Sequence, residues 1–230
     1  MKRGVSNNFL KFTALCAGCT SVTTFLLWLL SQNYPEASTD LDRAMRHANP
    51  YYMGRLWVNF VHIFLAFMAY LGAALLIAQR SLGLALAGFL WFLLWGFTEL
   101  LGVSVLIFAV NNTLRKSYVD ADEATRAFLQ RDIDLFIQWW DALFFLILVC
   151  FLLGTLFYGV GTWKGRRIEK VVSLFFLAAV PLTLGIAISG YTQVAWPGMV
   201  AGIVYPILQP LGRALLGVWI WTRASQHRRV

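Results

Sequence analysis

Residues 82–110 read LGLALAGFLWFLLWGFTELLGVSVLIFAV, a run of 29 residues without Lys, Arg, Asp or His and with one carboxylate, Glu99. About 20 apolar residues suffice to carry a helix across a bilayer, so this run is long enough to span and to tilt or project. The whole chain follows suit: 59% of it is hydrophobic and only 13% charged, more apolar surface than a soluble core can hide. The pattern predicts an all-α, polytopic integral membrane protein with six transmembrane helices in one domain, residues 1–230. The spans fall at about 12–30, 57–78, 82–110, 139–163, 171–195 and 198–221.

The first span follows Lys2, Arg3 and Lys11 and looks at its front like a signal peptide. Leu15-Cys16-Ala17-Gly18-Cys19 also has the look of a lipoprotein cleavage box. Yet the chain stays apolar for eleven residues beyond Cys19, which favours an uncleaved span. Cys16, Cys19 and Cys150 all lie inside apolar runs, a placement that suits packing better than disulfide, metal or redox work.

Between the spans, Thr39 and Asp42 form a capping-box pattern that predicts a short helix over 41–48, stopping before Asn49-Pro50. Tyr51, Tyr52 and Trp57 suit an interfacial belt at the start of span two. Gln79-Arg80-Ser81 is only a tight turn, so spans two and three are antiparallel neighbours. Residues 111–138 read as the largest loop. Capping residues Asp120 to Glu123 then predict that span four extends outward as one long helix. Residues 164–170 make a basic turn, and Trp196-Pro197 makes the turn into span six. Pro181, Pro206 and Pro210 are candidate kinks. Small-residue spacings at Ala14/Gly18, Gly185/Ser189 and Gly198/Gly202 suggest helix contacts.

Charge sets the orientation. With a cytoplasmic N-terminus, the inside segments hold eleven basic residues against one acid, Glu169. The two long outside loops hold seven basic residues and eight acids. Positive charge gathers on the cytoplasmic side of membrane proteins, so the expectation is N-in and C-in, in a bacterial-type cytoplasmic (inner) membrane. The net charge of +8 then belongs to turns that meet anionic lipid rather than to nucleic acid. The expected partners are the bilayer, anionic lipid at the inner turns, and a protein partner or second copy.

Ionisable groups inside spans are costly and mark functional sites by default. Here the candidates are Glu99, Arg213, His62, Asn59 and Asp141, together with Trp95 and Gln209 beside them. On a rise of about 1.5 Å per residue, Glu99 lies roughly 5 Å outward of mid-span and Arg213 roughly 5 Å inward. Helical side chains lean toward their own N-terminus, which aims these two at each other and makes Glu99–Arg213 the best ion pair on offer. Trp91, Trp95 and Glu99 share one helix face. Arg55, Asn59 and His62 share another, read as a polar rim near the outer interface with Asp141 facing it.

Several activities lack their signatures. H-E-x-x-H, G-x-S-x-G and a P-loop are missing, no Lys lies within a span, and His62 is the only intramembrane histidine. No metal site or cofactor is expected. The leading expectation is a small transport or ligand-sensing module with an outward-facing polar pocket around Glu99. A structural or accessory subunit is the alternative, and an intramembrane enzyme using Glu99, His62 or Asp141 is the third.

Overall fold

The structure, a computed structural model, describes residues 6–192, 194 and 205–226. The helices are α1 (Asn7–Ser31), α2 (Asp40–Met45), α3 (Pro50–Ala78), α4 (Leu82–Val105), α5 (Lys116–Asp120), α6 (Glu123–Trp163), α7 (Arg167–Tyr191) and α8 (Tyr205–Gln226). A 3₁₀ turn over Arg46–Ala48 leads toward α3, and a π-helical segment, Leu106–Arg115, joins α4 to α5. No strand occurs among the described residues. Among the described residues five helices are long and apolar enough to cross a membrane: Asn7–Ser31, Pro50–Ala78, Leu82–Asp120, Glu123–Trp163 and Arg167–Tyr191. The described part of α8, with Gln209, Arg213 and two prolines, is not among them.

Each long helix packs on the next in the chain, and α8 returns to α1, which gives a ring in the order α1–α3–α4–α6–α7–α8. The α7–α8 seam is the most sparsely packed, and α3 also touches α6 and α8, placing it toward the middle. Alternation of direction around the ring follows from connections such as the turn at Gln79 to Ser81, where Arg80 and Ser81 donate to Ile77 O at 2.9 Å each. The closest approach is between α1 and α8. A Cβ on Gly217 would meet Ala14 O at 3.0 Å and Gly18 N at 3.3 Å, so the Ala14/Gly18 spacing does mark a helix contact. Gly198, Gly202 and the Trp196-Pro197 turn lie outside the described residues.

Helix starts are set by side-chain caps. Thr39 Oγ1 accepts from Asp42 N at 3.1 Å while Asp42 Oδ2 accepts from Thr39 N at 3.0 Å, the capping box the sequence predicts. Asn49 Oδ1 accepts from Tyr51 N and Tyr52 N, and Pro50 takes the first helical position, where its missing N–H costs nothing. Helix α3 therefore begins well before Trp57, earlier than expected. Asp122 caps α6, a helix of 41 residues. At about 1.5 Å per residue it is roughly 60 Å long, twice the hydrocarbon thickness and more than a span requires.

One expectation changes. Residues 111–120 are not a loop: the π segment and α5 occupy them, while the helix from Glu123 onward is as expected. The π register has a local cause, since Asn111 Nδ2 donates to Leu106 O at 2.6 Å and Thr113 Oγ1 to Phe108 O at 3.2 Å, both five residues back. Pro206 lies at the start of the described part of α8, and Pro210 lies inside that helix. Helix α7 runs on through Pro181.

Candidate functional site: a cavity inside the ring

Six of the seven residues singled out from sequence line one cavity of about 240 Å³: Asn59 and His62 from α3, Trp95 and Glu99 from α4, Gln209 and Arg213 from α8. Thr24 of α1, Phe144 of α6 and Ile186 of α7 complete it, so every long helix contributes. Asp141 does not. Its side chain is exposed on α6, and its backbone carbonyl accepts from Tyr191 Oη.

The floor of the cavity is aromatic. Trp95 and Phe151, with centroids 6.0 Å apart, both line it. Beneath them Tyr70 and Phe92 stack at 3.7 Å with an interplanar angle of 5°, and Tyr158 packs edge-on against both. Tyr158 Oη donates to Tyr70 O at 2.9 Å, which satisfies its polar end inside an otherwise apolar layer. Trp91 shares the helix face of Trp95 and Glu99 but packs into this core rather than lining the cavity.

The predicted Glu99–Arg213 ion pair does not form. Among the described residues the ion pairs are Arg43–Asp40, Arg80–Glu169, Arg131–Asp132 and Arg223–Glu169. The reason is the ring order. Helices α4 and α8 occupy opposite positions, and with neighbours about 8–10 Å apart, opposite axes of a regular ring lie roughly 16–20 Å apart. Helix α3 stands between them and supplies a neutral partner to each charge. Asn59 Nδ2 donates to Glu99 Oε1 at 3.0 Å. Arg213 Nη1 meets His62 Nε2. The Asn59/His62 face is thus no peripheral rim; it connects the two charges.

These contacts fix proton positions. A guanidinium only donates, so His62 Nε2 must accept from Arg213, and the ring proton sits on Nδ1. That nitrogen donates to Thr23 Oγ1 at 2.6 Å, and the threonine hydroxyl in turn faces Cys19 O and Thr20 O at 3.1 and 3.2 Å. A directional chain Arg213→His62→Thr23→α1 backbone results, with His62 only 3% exposed. Arg213 Nε is buried and has no hydrogen-bond partner. Sequence reading missed Thr23, because a hydroxyl in an apolar run looks like any other small residue.

A second buried centre, also missed, lies at the opposite end of the ring. Glu169, 2% exposed, accepts from Arg166 N at 2.6 Å and from Trp219 Nε1 at 3.2 Å. Its carboxylate also takes Arg80 Nη2 at 2.9 Å and Arg223 Nε at 3.0 Å. It therefore ties the α3–α4 turn, the start of α7 and the end of α8 together. Its signal was in the sequence: it is the single acid among the basic inner segments.

At the end of the ring bearing α2 and α5, arginines meet tyrosines. Arg55 Nη1 donates to Tyr34 Oη. Arg115 Nη1 donates to Tyr52 Oη and Asn111 Oδ1, at 2.9 Å each. The Arg46 guanidinium lies 5.9 and 5.8 Å from the Tyr34 and Tyr52 ring centroids, a cation–π arrangement.

Chemically, the cavity offers one carboxylate, one guanidinium, a neutral imidazole, amide groups and an indole face. Among the described residues no three His, Cys, Asp or Glu side chains group as a metal site would require. No family model, curated protein or solved structure matches the chain. The fold and the site together define a class: an all-helical chain with five helices able to cross a membrane and a polar cavity at its centre.

Proposed function

We propose that the chain is a six-span protein of a bacterial-type cytoplasmic membrane, with both termini in the cytoplasm, and that it is a small transport or ligand-sensing module. Its ligand pocket is the cavity around Glu99, open toward the outer face. The observation that carries this reading is the convergence of Glu99, Arg213, His62 and Asn59 from three helices on one cavity. A charge that served only to fix helix packing would be expected to meet its opposite directly; here two opposite charges border the same space unpaired. The position of the cavity on the side away from the basic turns supports outward access under the positive-inside rule. Those basic turns, with Lys164, Arg166, Arg167 and Lys170, suit anionic headgroups of the inner leaflet.

Site-directed labelling tests the pocket. Thr24→Cys, in a background where Cys16, Cys19 and Cys150 are replaced, should react in intact cells with a membrane-impermeant thiosulfonate. Val22→Cys, which faces outward from the bundle, should not. Thr24→Cys unreactive from either side would remove the aqueous pocket and with it this function.

One observation favours an accessory role as a second reading. Phe128, Leu135 and Trp139 are 64%, 59% and 66% exposed on the projecting part of α6, a surface suited to a protein partner. Stoichiometric co-purification of another protein, with Glu99→Gln silent, would select it. Of the residues named for the enzymatic reading, Glu99 and His62 border the cavity and Asp141 does not.

A further inference from the structure

Resting on the pocket reading, we infer that the cavity takes a small zwitterion with an apolar body, of the amino-acid class. The ammonium would lie toward Glu99 and Asn59, the carboxylate toward Arg213, and the side chain against Trp95 and Ile147.

The first step is charge balance. The carboxylate of Glu99 and the guanidinium of Arg213 border one cavity and form no ion pair with each other, so the pocket is close to neutral as a unit. A singly charged ligand would leave that low-dielectric space with a net charge, which is costly to bury. A zwitterion keeps the sum at zero while giving each wall its counter-charge. The second step is hydrogen bonding. Arg213 Nη1 is engaged by His62, and the guanidinium has further N–H donors with which to meet a ligand carboxylate. The orientation of His62 matters here: because Nε2 accepts, the imidazole adds no positive charge to the cation wall. The third step is size and lining. A volume of about 240 Å³ corresponds to about eight water volumes, and therefore to a ligand of roughly that many heavy atoms. Between the charged walls lie Trp95, Ile147, Leu148 and Ile186, which suit an apolar side chain rather than a second polar group.

The test uses the full chain in nanodiscs and equilibrium binding of radiolabelled alanine, leucine and phenylalanine. Leucinamide, which lacks the anion, and N-acetylleucine, which lacks the cation, serve as competitors. At least one zwitterion should bind saturably. Loss of either charge from the ligand should weaken competition by about 10- to 100-fold, the range for one charge-assisted contact. Glu99→Gln should lose its preference for leucine over N-acetylleucine, and Arg213→Gln its preference over leucinamide. Both variants are checked for native helicity and monodispersity. If a variant fails to fold, the analogue series on the unaltered chain decides alone. Competition by leucinamide or N-acetylleucine equal to that by leucine overturns the zwitterion and leaves the pocket standing. Failure of all three amino acids to bind, with Thr24→Cys reactive in the same preparation, also overturns it alone. Failure of both binding and labelling removes the pocket reading as well.

Discussion

Replacing Glu169 by glutamine preserves the side chain's shape and removes its charge, which isolates the electrostatic part of the centre that joins α3–α4, α7 and α8. One carboxylate oxygen accepts from both nitrogens of Arg223 that reach it and from Trp219; the other accepts from Arg166 N and lies 2.9 Å from Arg80 Nη2. A glutamine can keep an oxygen on only one side. Oriented toward Arg223 and Trp219, it turns its NH₂ toward the Arg166 N–H and the Arg80 guanidinium, donor against donor. Breaking a buried, hydrogen-bonded ion pair by altering one partner costs about 3–5 kcal/mol. The partners here are not fully buried: the Arg80 and Arg223 side chains are 41% and 21% exposed, and water can rehydrate them. That screening moves the expectation to the lower end, about 3 kcal/mol.

For a chain of this size each kcal/mol moves the melting midpoint by about 2–4 °C, so the apparent Tm should fall by roughly 6–12 °C. The assay is thermal unfolding of the purified chain in one detergent at one heating rate, because membrane proteins unfold irreversibly and the midpoint depends on the scan. A double-mutant cycle with Arg223→Gln should return a coupling of about 1–3 kcal/mol. A midpoint within about 2 °C of the unaltered chain, with no coupling to Arg223, would refute the reasoning, since it would mean that the carboxylate and its arginines are solvated as well apart as together.

Other consequences can be measured separately. Tyr52→Phe removes an acceptor for Arg115, itself only 5% exposed, and should cost about 1–3 kcal/mol in thermal stability while leaving the α6 extension helical by hydrogen exchange. Gly217→Leu places carbon against the Ala14 carbonyl, which cannot yield without moving a helix, and should lower the apparent Tm by about 2–12 °C, the range for an overpacking cost of about 1–3 kcal/mol. Asp42 has its carboxyl held below the ordinary carboxylate range, first by the hydroxyl of Ser38 and then by Thr39. With the folded value depressed, the contribution is present at neutral pH and disappears as pH falls through that depressed value. Amide exchange at Thr39 and Asp42 should therefore accelerate, relative to intrinsic rates, as pH is lowered below the usual carboxylate range.

What the sequence made legible follows from which forces act locally. Caps at Thr39 and Asp122 involve neighbours within three residues, and the pattern of side-chain donors and acceptors is readable there without any fold, whereas Asn49 was read only as a stop and its capping of α3 was missed. The helix ends at Ala78 and Trp163 coincide with basic turns for the same reason. The order of helices around the ring was not legible in full, because the three-residue turns at 79–81 and 164–166 force adjacency only locally and say nothing of how α8 returns to α1. The π segment was missed because its defining contacts run to the fifth residue back, a spacing that the 3.6-residue pattern does not test. Level along the helix axes, by contrast, was readable from the rise per residue. It brought Glu99, His62 and Arg213 to neighbouring levels but said nothing about who stands beside whom.

The failed ion pair shows what that missing lateral information decides. Two opposite charges at similar depth in a bilayer attract strongly, and a direct pair would have been the simplest way to reduce the cost of each. The chain instead places α3 between them, with Asn59 and His62 three residues apart on one helix face, so that each charge gains a neutral hydrogen-bond partner and neither is neutralised. Neutral partners lower the desolvation cost while leaving the field of each charge in the cavity. Replacing Asn59 or His62 by an apolar residue would then strand a charge, whereas a direct Glu99–Arg213 contact would close the space that both now border. The arrangement is costly as a packing device, and it makes sense for a cavity that must present both signs of charge to whatever enters it.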